Sequence, residues 1–190
     1  MRLLSYILIF CFMLCASCGQ KPAQTLDLPV DVTQLGGNYL WPYGVHGGGH
    51  PEGHPGIDFI STYPVTVRAP ADMTLDKIQP AESEGNVYLF ATPFRNSSLS
   101  INFSSLILAS GLSSGSRVKR GDVIGTFGPV NGQYMIHFGV LFSSGDVCPA
   151  IFFTTDSINL VGQDASNPTT IMGKASYSQK SSESKLCNPK

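Results

Sequence analysis

Charged residues are scarce in this chain: they make up 13% of its 190 residues, and the formal net charge is -1. A protein that binds nucleic acid through phosphates needs a clustered basic surface. The twelve lysines and arginines are scattered instead, and their one short cluster, residues 117–120, is typical of a solvated turn. The composition therefore argues against nucleic acid as a partner.

Helical periodicity is missing as well. Beyond the N-terminal segment, no window of about eleven or more residues carries a convincing apolar stripe. Short runs rich in β-branched and aromatic residues, separated by turn residues, predict strands instead. The clearest of these runs are residues 65–68, 86–92, 100–103, 106–108, 122–128 and 134–142. The sequence therefore predicts one mainly β domain.

The N-terminus has the pattern of an export signal. Arg2 precedes an apolar run over residues 3–14, which is too short for a comfortable membrane span. Ala16 and Ser17 then lead into Cys18, the layout of a bacterial signal that ends at a lipid-modified cysteine. Cys15 stands where such signals usually have leucine, so a plain cleaved signal peptide is the alternative. Both interpretations predict a domain that works outside the cytoplasm, and the first anchors it to a membrane through Cys18.

The remaining boundaries follow from composition. Residues 19–38 are polar, contain proline and show no periodicity, which predicts a tether. The C-terminal stretch is rich in Ser, Lys and Asn, which is typical of a flexible tail. The predicted organisation is thus a signal over residues 1–18, a tether over 19–38, a β domain over 39–163 and a tail over 164–190.

Cysteine usage agrees with an exported protein. Of the five cysteines, Cys11 and Cys15 leave with the signal and Cys18 is the predicted lipid site. Cys148 and Cys187 remain, and in an oxidising compartment they could form a disulfide that ties the tail to the domain. Closing such a loop would stabilise the fold by about 3–4 kcal/mol. The alternative is two free thiols.

Histidines are concentrated in one glycine-rich segment. His46, His50 and His54 lie within nine positions, Asp58 follows, and His137 is the only other histidine. A single histidine is more often a bystander than a ligand, but three so close together with a carboxylate are harder to dismiss. Because imidazole nitrogen and carboxylate oxygen are natural donors to zinc, the segment predicts a metal site.

The spacing of His54 and Asp58 limits how they could share an ion. In one extended strand the two residues would lie roughly 13 Å apart, and Pro55-Gly56 makes a poor helix interior. A turn at Pro55-Gly56 that leads into a strand over residues 57–60 remains. Such a turn can bring both donors within about 2.0–2.2 Å of a metal.

A third ligand has to come from elsewhere in the chain, and His137 is the histidine outside the segment. Strand alternation over residues 134–140 places His137 and Met135 on one face and Ile136 and Phe138 on the other. With Ile136 and Phe138 in the core, His137 points toward a groove or solvent.

Several short motifs between Trp41 and Phe153 occur in the order of one known family. They are Trp41-Pro42, the H-x-x-x-D signature of residues 54–58 with its following strand, and the segments 67–72, 85–88 and 118–125. Each motif is weak alone, but the ordered set is specific. The chain resembles the lysostaphin-type (LytM-like) zinc metalloendopeptidases, which cut peptide cross-bridges in bacterial cell walls.

The resemblance implies a fold and a site. The fold would be mainly β, with antiparallel sheets that form an open groove, the LytM-like duplicated hybrid motif of the barrel-sandwich hybrid type. The family's zinc ligands fall on His54, Asp58 and His137. Three protein ligands with an open fourth position are the arrangement of a catalytic zinc.

The chain also departs from the family pattern. The first histidine of the family's H-x-H signature is Met135 here, and the histidine of its Y-x-H-L element corresponds to Ser105 in residues 103–106. Met has no proton to give and Ser has no basic nitrogen. Losing acid/base assistance typically costs roughly 100- to 10,000-fold in rate. His50 is a weak candidate for a substitute, and the alternative is that it is a loop residue or occludes the groove.

The sequence leaves three hypotheses about the function of the chain. The first is a divergent zinc metallopeptidase-like domain that acts on peptidoglycan cross-bridge peptides in the cell envelope. The second is a catalytically inactive, zinc-retaining module that binds the cell wall or regulates a cell-wall hydrolase. The third is a β-sandwich with a coincidental histidine cluster. Retained ligands favour the first reading and the replaced histidines favour the second, so the sequence leaves open whether the chain is an enzyme.

Overall fold

A computed structural model describes residues 25–35, 40–46, 50–83, 85–142, 145–154 and 156–157. Within this part of the chain no helix is both long and apolar enough to cross a membrane. The predicted signal, Cys18, Cys187 and the C-terminal tail lie outside the described residues. The strands are β1 (Leu40–Trp41), β2 (Gly56–Ser61), β3 (Thr66–Arg68), β4 (Met73–Pro80), β5 (Val87–Pro93), β6 (Leu99–Leu108), β7 (Arg117–Val118), β8 (Val123–Val130), β9 (Gln133–Phe142) and β10 (Gly145–Val147), with 3-10 turns at Val32–Leu35 and Pro149–Phe152.

The strands form one antiparallel sheet that does not close on itself. Its order is β1-β2-β9-β8-β6-β5-β4-β7, with β10 beside β9, β3 beside β8, and a further pairing of β9 with β6. Hairpins join β4 to β5, β5 to β6 and β8 to β9. Other neighbours, such as β2 and β9, are far apart in the sequence. The predicted mainly β, antiparallel architecture is confirmed.

Strand β9 shows why the sheet has a core face and an open face. Ile136, Phe138 and Val140 are fully buried, whereas Met135 and His137, which alternate with them along the strand, are only partly buried. Successive side chains of a strand point to opposite faces. The apolar set therefore packs into the core, and the alternate set lines the opposite face, as the sequence predicts.

Strand β6 was expected as two separate strands, and it is one strand of ten residues. Ser105, near its middle, has a left-handed backbone with φ of 60°. Up to Ser104 the strand pairs with β9, and from Leu106 onward it pairs with β8. The left-handed residue therefore lies where the strand changes partner, and a bulge of this kind bends a strand and redirects its side chains.

The structure differs from the predicted tether over residues 25–35. The backbone of Leu26 bonds to the carbonyl of Phe152 at 2.7 Å and accepts from the Thr154 amide at 2.9 Å. This segment packs on the domain because its apolar side chains are buried while its polar ones stay outside. The buried residues are Leu26, Val30, Val32 and Leu35.

Candidate metal centre

Strands β2 and β9 place Asp58 and His137 directly opposite one another. Residues opposite each other on antiparallel strands carry their side chains on the same face and close together. Here Nδ1 of His137 lies 2.8 Å from Oδ1 of Asp58. The strand register thus creates one half of the site.

His54 joins this pair from the turn that precedes β2. Its backbone is fixed to the neighbouring loop, because its carbonyl accepts from the Gly44 amide at 2.7 Å and its own amide donates to the Val45 carbonyl at 2.9 Å. The ring reaches back so that Nε2 lies 3.2 Å from Oδ1 of Asp58 and 3.2 Å from Nδ1 of His137. The structure therefore brings together the three residues that the sequence analysis singled out.

The contact made by Nδ1 of His54 sets the tautomer of the ring and therefore what Nε2 presents to Asp58. Nδ1 lies 3.2 Å from the carbonyl oxygen of Pro42. Because a carbonyl only accepts, Nδ1 carries the hydrogen, and in the neutral ring Nε2 then presents a lone pair. That lone pair faces the carboxylate of Asp58. Two such acceptors stay at this separation only when a proton or a metal cation lies between them.

The dimensions of the cluster fit a small tetrahedral ion. Zinc with ligands at about 2.0–2.1 Å in tetrahedral geometry holds neighbouring donor atoms about 3.3 Å apart. The three donor separations are 2.8, 3.2 and 3.2 Å. Among the described residues, His54, Asp58 and His137 are the one group of three or more metal-type ligands that lie this close together.

The cluster is shielded from solvent. His54 is 1% exposed and Asp58 is 4% exposed. In the metal-free site a proton takes the place of the metal between His54 and Asp58. Burial alone raises the pKa of Asp58, but the hydrogen bonds from His137 and His54 and the charges of the two rings in this state outweigh burial, so the pKa of Asp58 is lowered overall. Asp58 is therefore held as a carboxylate, the form that binds a metal.

Trp41 fixes the plane of the His54 ring. The two rings are stacked, with centroids 5.1 Å apart and an interplanar angle of 12°. Trp41 lies on β1 opposite Asp58, so the register of a third strand sets this contact. Together with the carbonyl of Pro42, the stack leaves the His54 ring little freedom to turn.

Gly56 makes room for the other imidazole. A Cβ atom at this position would lie 2.6 Å from Cε1 and 2.7 Å from Nε2 of His137, and 2.6 Å from the carbonyl oxygen of Phe138. The His137 ring therefore lies directly against the backbone of β2. Any side chain at position 56 would push this ring away from Asp58.

The cluster forms part of a groove of about 450 Å³. Met135 lines the groove, and so does Ser104, which lies opposite His137 in the pairing of β6 with β9. Ser105 is not among the lining residues. The groove wall beside His137 therefore carries Ser104 and Met135, and neither has an imidazole.

His50 and His46 are placed differently from His54. The His50 ring lies near the cluster, with its centroid 5.2 Å from that of His54 and 6.3 Å from that of Trp41, and it lines the groove. His46 is exposed, and its Nδ1 donates to the carbonyl of Pro51 at 2.8 Å. Only His54 of the three contributes to the compact ligand group.

Other groove residues escaped the sequence analysis. They share no motif with the ligands and face the groove only because of strand register, so the sequence offers no direct signal for them. Asn102 lies opposite Gly139, and Asp146 lies opposite Leu141. The further lining residues of this kind are Tyr88, Phe90 and Ser104.

Cys148 lies next to β10 and is disulfide-bonded. All other cysteines of the chain are outside the described residues. The pairing of Cys148 with Cys187 therefore stays a prediction.

No protein-family model matches the chain, and no curated protein matches it by sequence. Solved structures match by fold. Csd3 of Helicobacter pylori is 22% identical with a TM-score of 0.55 over 70% of this chain. A chain of the SpoIIQ–SpoIIIAH pore forming complex is 17% identical with a TM-score of 0.55 over 73% of this chain.

A zinc containing peptidase from Vibrio cholerae is 24% identical with a TM-score of 0.50, over 65% of this chain. This chain spans only 34% of Csd3 and 39% of the Vibrio peptidase, but 98% of the chain from the SpoIIQ–SpoIIIAH complex. At these identities the likeness is one of fold. The chain therefore has the LytM-like fold, with a compact group of three metal-type ligands at its groove.

Proposed function

We propose that this domain binds one zinc ion through His54, Asp58 and His137 and acts on peptidoglycan peptides as a divergent zinc metallopeptidase. The observation that carries the proposal is that Nε2 of His54 lies 3.2 Å from Oδ1 of Asp58 and 3.2 Å from Nδ1 of His137. With 2.8 Å between His137 and Asp58, the three donor atoms have separations that suit one small cation. Imidazole and carboxylate donors match zinc in type and number.

Zinc bound at three protein ligands can polarise a carbonyl and make a bound water acidic near neutral pH. The residues of this chain prepare that chemistry by holding the donors in place. Pro42 fixes the tautomer of His54, Trp41 fixes its plane, and Gly56 leaves space for His137. Mutation of residues that position metal ligands in this way usually lowers metal affinity or activity about 10- to 100-fold.

The residues around the ligands limit the rate. Met135 and Ser104, which face the groove beside His137, cannot shuttle protons near neutral pH as imidazoles do. We expect hydrolysis to be slower than with two assisting histidines by roughly 100- to 10,000-fold for each group lost. The expected activity is therefore weak but zinc-dependent.

A second candidate function is a zinc-retaining module that binds peptidoglycan or regulates a cell-wall hydrolase without cutting. The replacement of the assisting histidines by Met135 and Ser104 or Ser105 favours it. A chain of the SpoIIQ–SpoIIIAH pore forming complex shares the fold, so the same fold also occurs in a protein assembly.

One assay separates the two candidates. Purified zinc-loaded domain is incubated with peptidoglycan, and released peptides are measured by mass spectrometry beside the His137→Ala variant. Release by the wild type that disappears in His137→Ala supports the peptidase. Retention of the protein on peptidoglycan without released peptides supports the binding module. If the protein is not retained and no peptide is released, both candidate functions are rejected.

The site of action belongs to the same proposal. An export signal and a LytM-like fold both favour the cell envelope, and lipid on Cys18 would tether the domain to a membrane. Cys18 lies seven positions before Thr25, where the described residues begin. Mass spectrometry of the N-terminal peptide from the native host membrane tests this: an unmodified Cys18, or cleavage elsewhere, contradicts the anchor.

A further inference from the structure

The groove runs along strand β9, and its two ends carry different chemical groups. His137, Gly139 and Leu141 alternate onto its open face, and Asp146 on β10 lies opposite Leu141. Four residues of strand separate His137 from Leu141 by about 13 Å. Both His137 and Asp146 line the groove. One end of the groove is therefore the ligand cluster and the other end is a carboxylate.

The two ends carry opposite charge once a divalent ion is bound. Two neutral imidazoles and one carboxylate leave a bound zinc with a net charge of about +1. Asp146 at the other end carries a negative charge, and the described residues that line the groove include no lysine or arginine. Lys77 lies opposite Phe90, a lining residue, on the outer strand β4, but Lys77 itself is not a lining residue.

Strand β10 is held in place at this end. The Tyr43 hydroxyl donates to the backbone carbonyl of Asp146 at 3.0 Å. The Asp146 carboxylate accepts no hydrogen bond from another described residue, whereas its backbone is fixed. It is therefore a positioned, solvent-facing charge that remains free to pair with a ligand.

Asn102 lies between the two ends. A Cβ at Gly139 would come 2.5 Å from Oδ1 and 2.7 Å from Nδ2 of Asn102, so the amide covers the groove floor next to His137. Within the described part of the chain this amide has no hydrogen-bond partner. A side-chain amide offers donors and an acceptor as a peptide unit does, and it suits the backbone of an extended peptide.

We infer that the groove binds an extended peptide in one direction, with its backbone on the Asn102 amide and a free ammonium group at Asp146. The inference deepens the proposed function, on which it rests, by naming the substrate class: peptides with an unacylated amine rather than a carboxylate at this end. The positive ligand cluster repels an ammonium group and Asp146 attracts it, so the reverse orientation is disfavoured.

The experiment uses soluble peptidoglycan peptides before and after acetylation of their free amines with acetic anhydride. Dissociation constants for the zinc-loaded protein are measured by calorimetry with both preparations. We expect wild type to bind the unmodified peptides about fivefold more tightly, the upper range for a solvent-accessible ion pair. In Asp146→Asn, which keeps the side-chain shape and the backbone bond to Tyr43, this preference should vanish.

The matched control is Glu82→Gln, which removes one negative charge outside the groove and should keep the preference. Equal affinity of wild type for both preparations overturns the inference and leaves the proposed function standing. A preference that survives in Asp146→Asn also overturns it. Failure of both preparations to bind the zinc-loaded wild type overturns the proposed function and, with it, the inference.

Discussion

Oδ1 of Asp58 and Nδ1 of His137 lie 2.8 Å apart although the two residues are 79 positions apart in the chain. They meet because β2 and β9 pair with Asp58 directly opposite His137. A slip of one residue would send one side chain to the core face. The candidate metal site therefore depends on sheet register.

The zinc content of the protein tests the ligand set. We expect about one zinc per chain after purification without chelators, because three donors stand at tetrahedral spacing. His54→Ala, Asp58→Ala and His137→Ala should each lose the metal, as measured by elemental analysis. His46→Ala is the matched control and should keep it. Wild type without metal even after incubation with zinc would contradict the assignment.

Gly56→Ala should weaken metal binding although it leaves the three ligand residues unchanged. The added methyl group would lie within 2.7 Å of the His137 ring, so the ring must move away from Asp58. We expect zinc affinity, measured by chelator competition, to fall at least about tenfold. Gly145→Ala is the control, because a Cβ there meets nothing within 4 Å. Equal affinities of the two variants would show that the ring has room to spare.

Trp41 is the only tryptophan in the chain, and it stacks on a ligand ring. Zinc titration should therefore change the tryptophan emission of the wild type. Trp41→Ala should lower zinc affinity about tenfold, since the His54 ring loses one of its two positioning contacts. Trp41→Phe keeps an aromatic face and should retain most of the affinity. An unchanged affinity in Trp41→Ala would reject the positioning role.

Restoring imidazoles should raise peptidase activity, and the structure indicates where to place them. Met135→His combined with Ser104→His should increase peptide release from peptidoglycan by roughly 100- to 10,000-fold for each imidazole restored. The matched comparison is Met135→His with Ser105→His. Position 105 does not line the groove and has a φ of 60°, so this pair should gain less. A larger gain from the pair with Ser105→His would show that position 105, and not position 104, is the place for an assisting histidine.

Asp58 should make the metal-free protein sensitive to acid. Its pKa is lowered from the usual 3.8, so its contribution to stability is present above that value and is lost as pH falls through the lowered pKa. Below about pH 4 the free energy of unfolding of chelator-treated wild type should therefore fall more steeply than that of Asp58→Asn. Urea unfolding at several pH values measures both. Parallel curves would contradict the lowered pKa.

Local pattern was enough for much of the fold. Alternation correctly placed Ile136 and Phe138 in the core, because successive side chains of a strand point to opposite faces of the sheet. The same reasoning missed β4, in which Asp76 and Lys77 interrupt the apolar pattern. It also split β6, since Ser104 and Ser105 look like a break when the strand merely changes partner there.

The chemical identity of the site was determined by the sequence alone: His54 and Asp58 are close in the chain, their residue types suit zinc, and His137 is the one histidine remaining elsewhere. Which groups surround the three ligands was decided only by tertiary structure. Trp41 reaches His54, and Ser104, Asn102 and Asp146 reach the groove, through the register of paired strands. Register depends on how all the strands pack together, and no local stretch of residues contains that information.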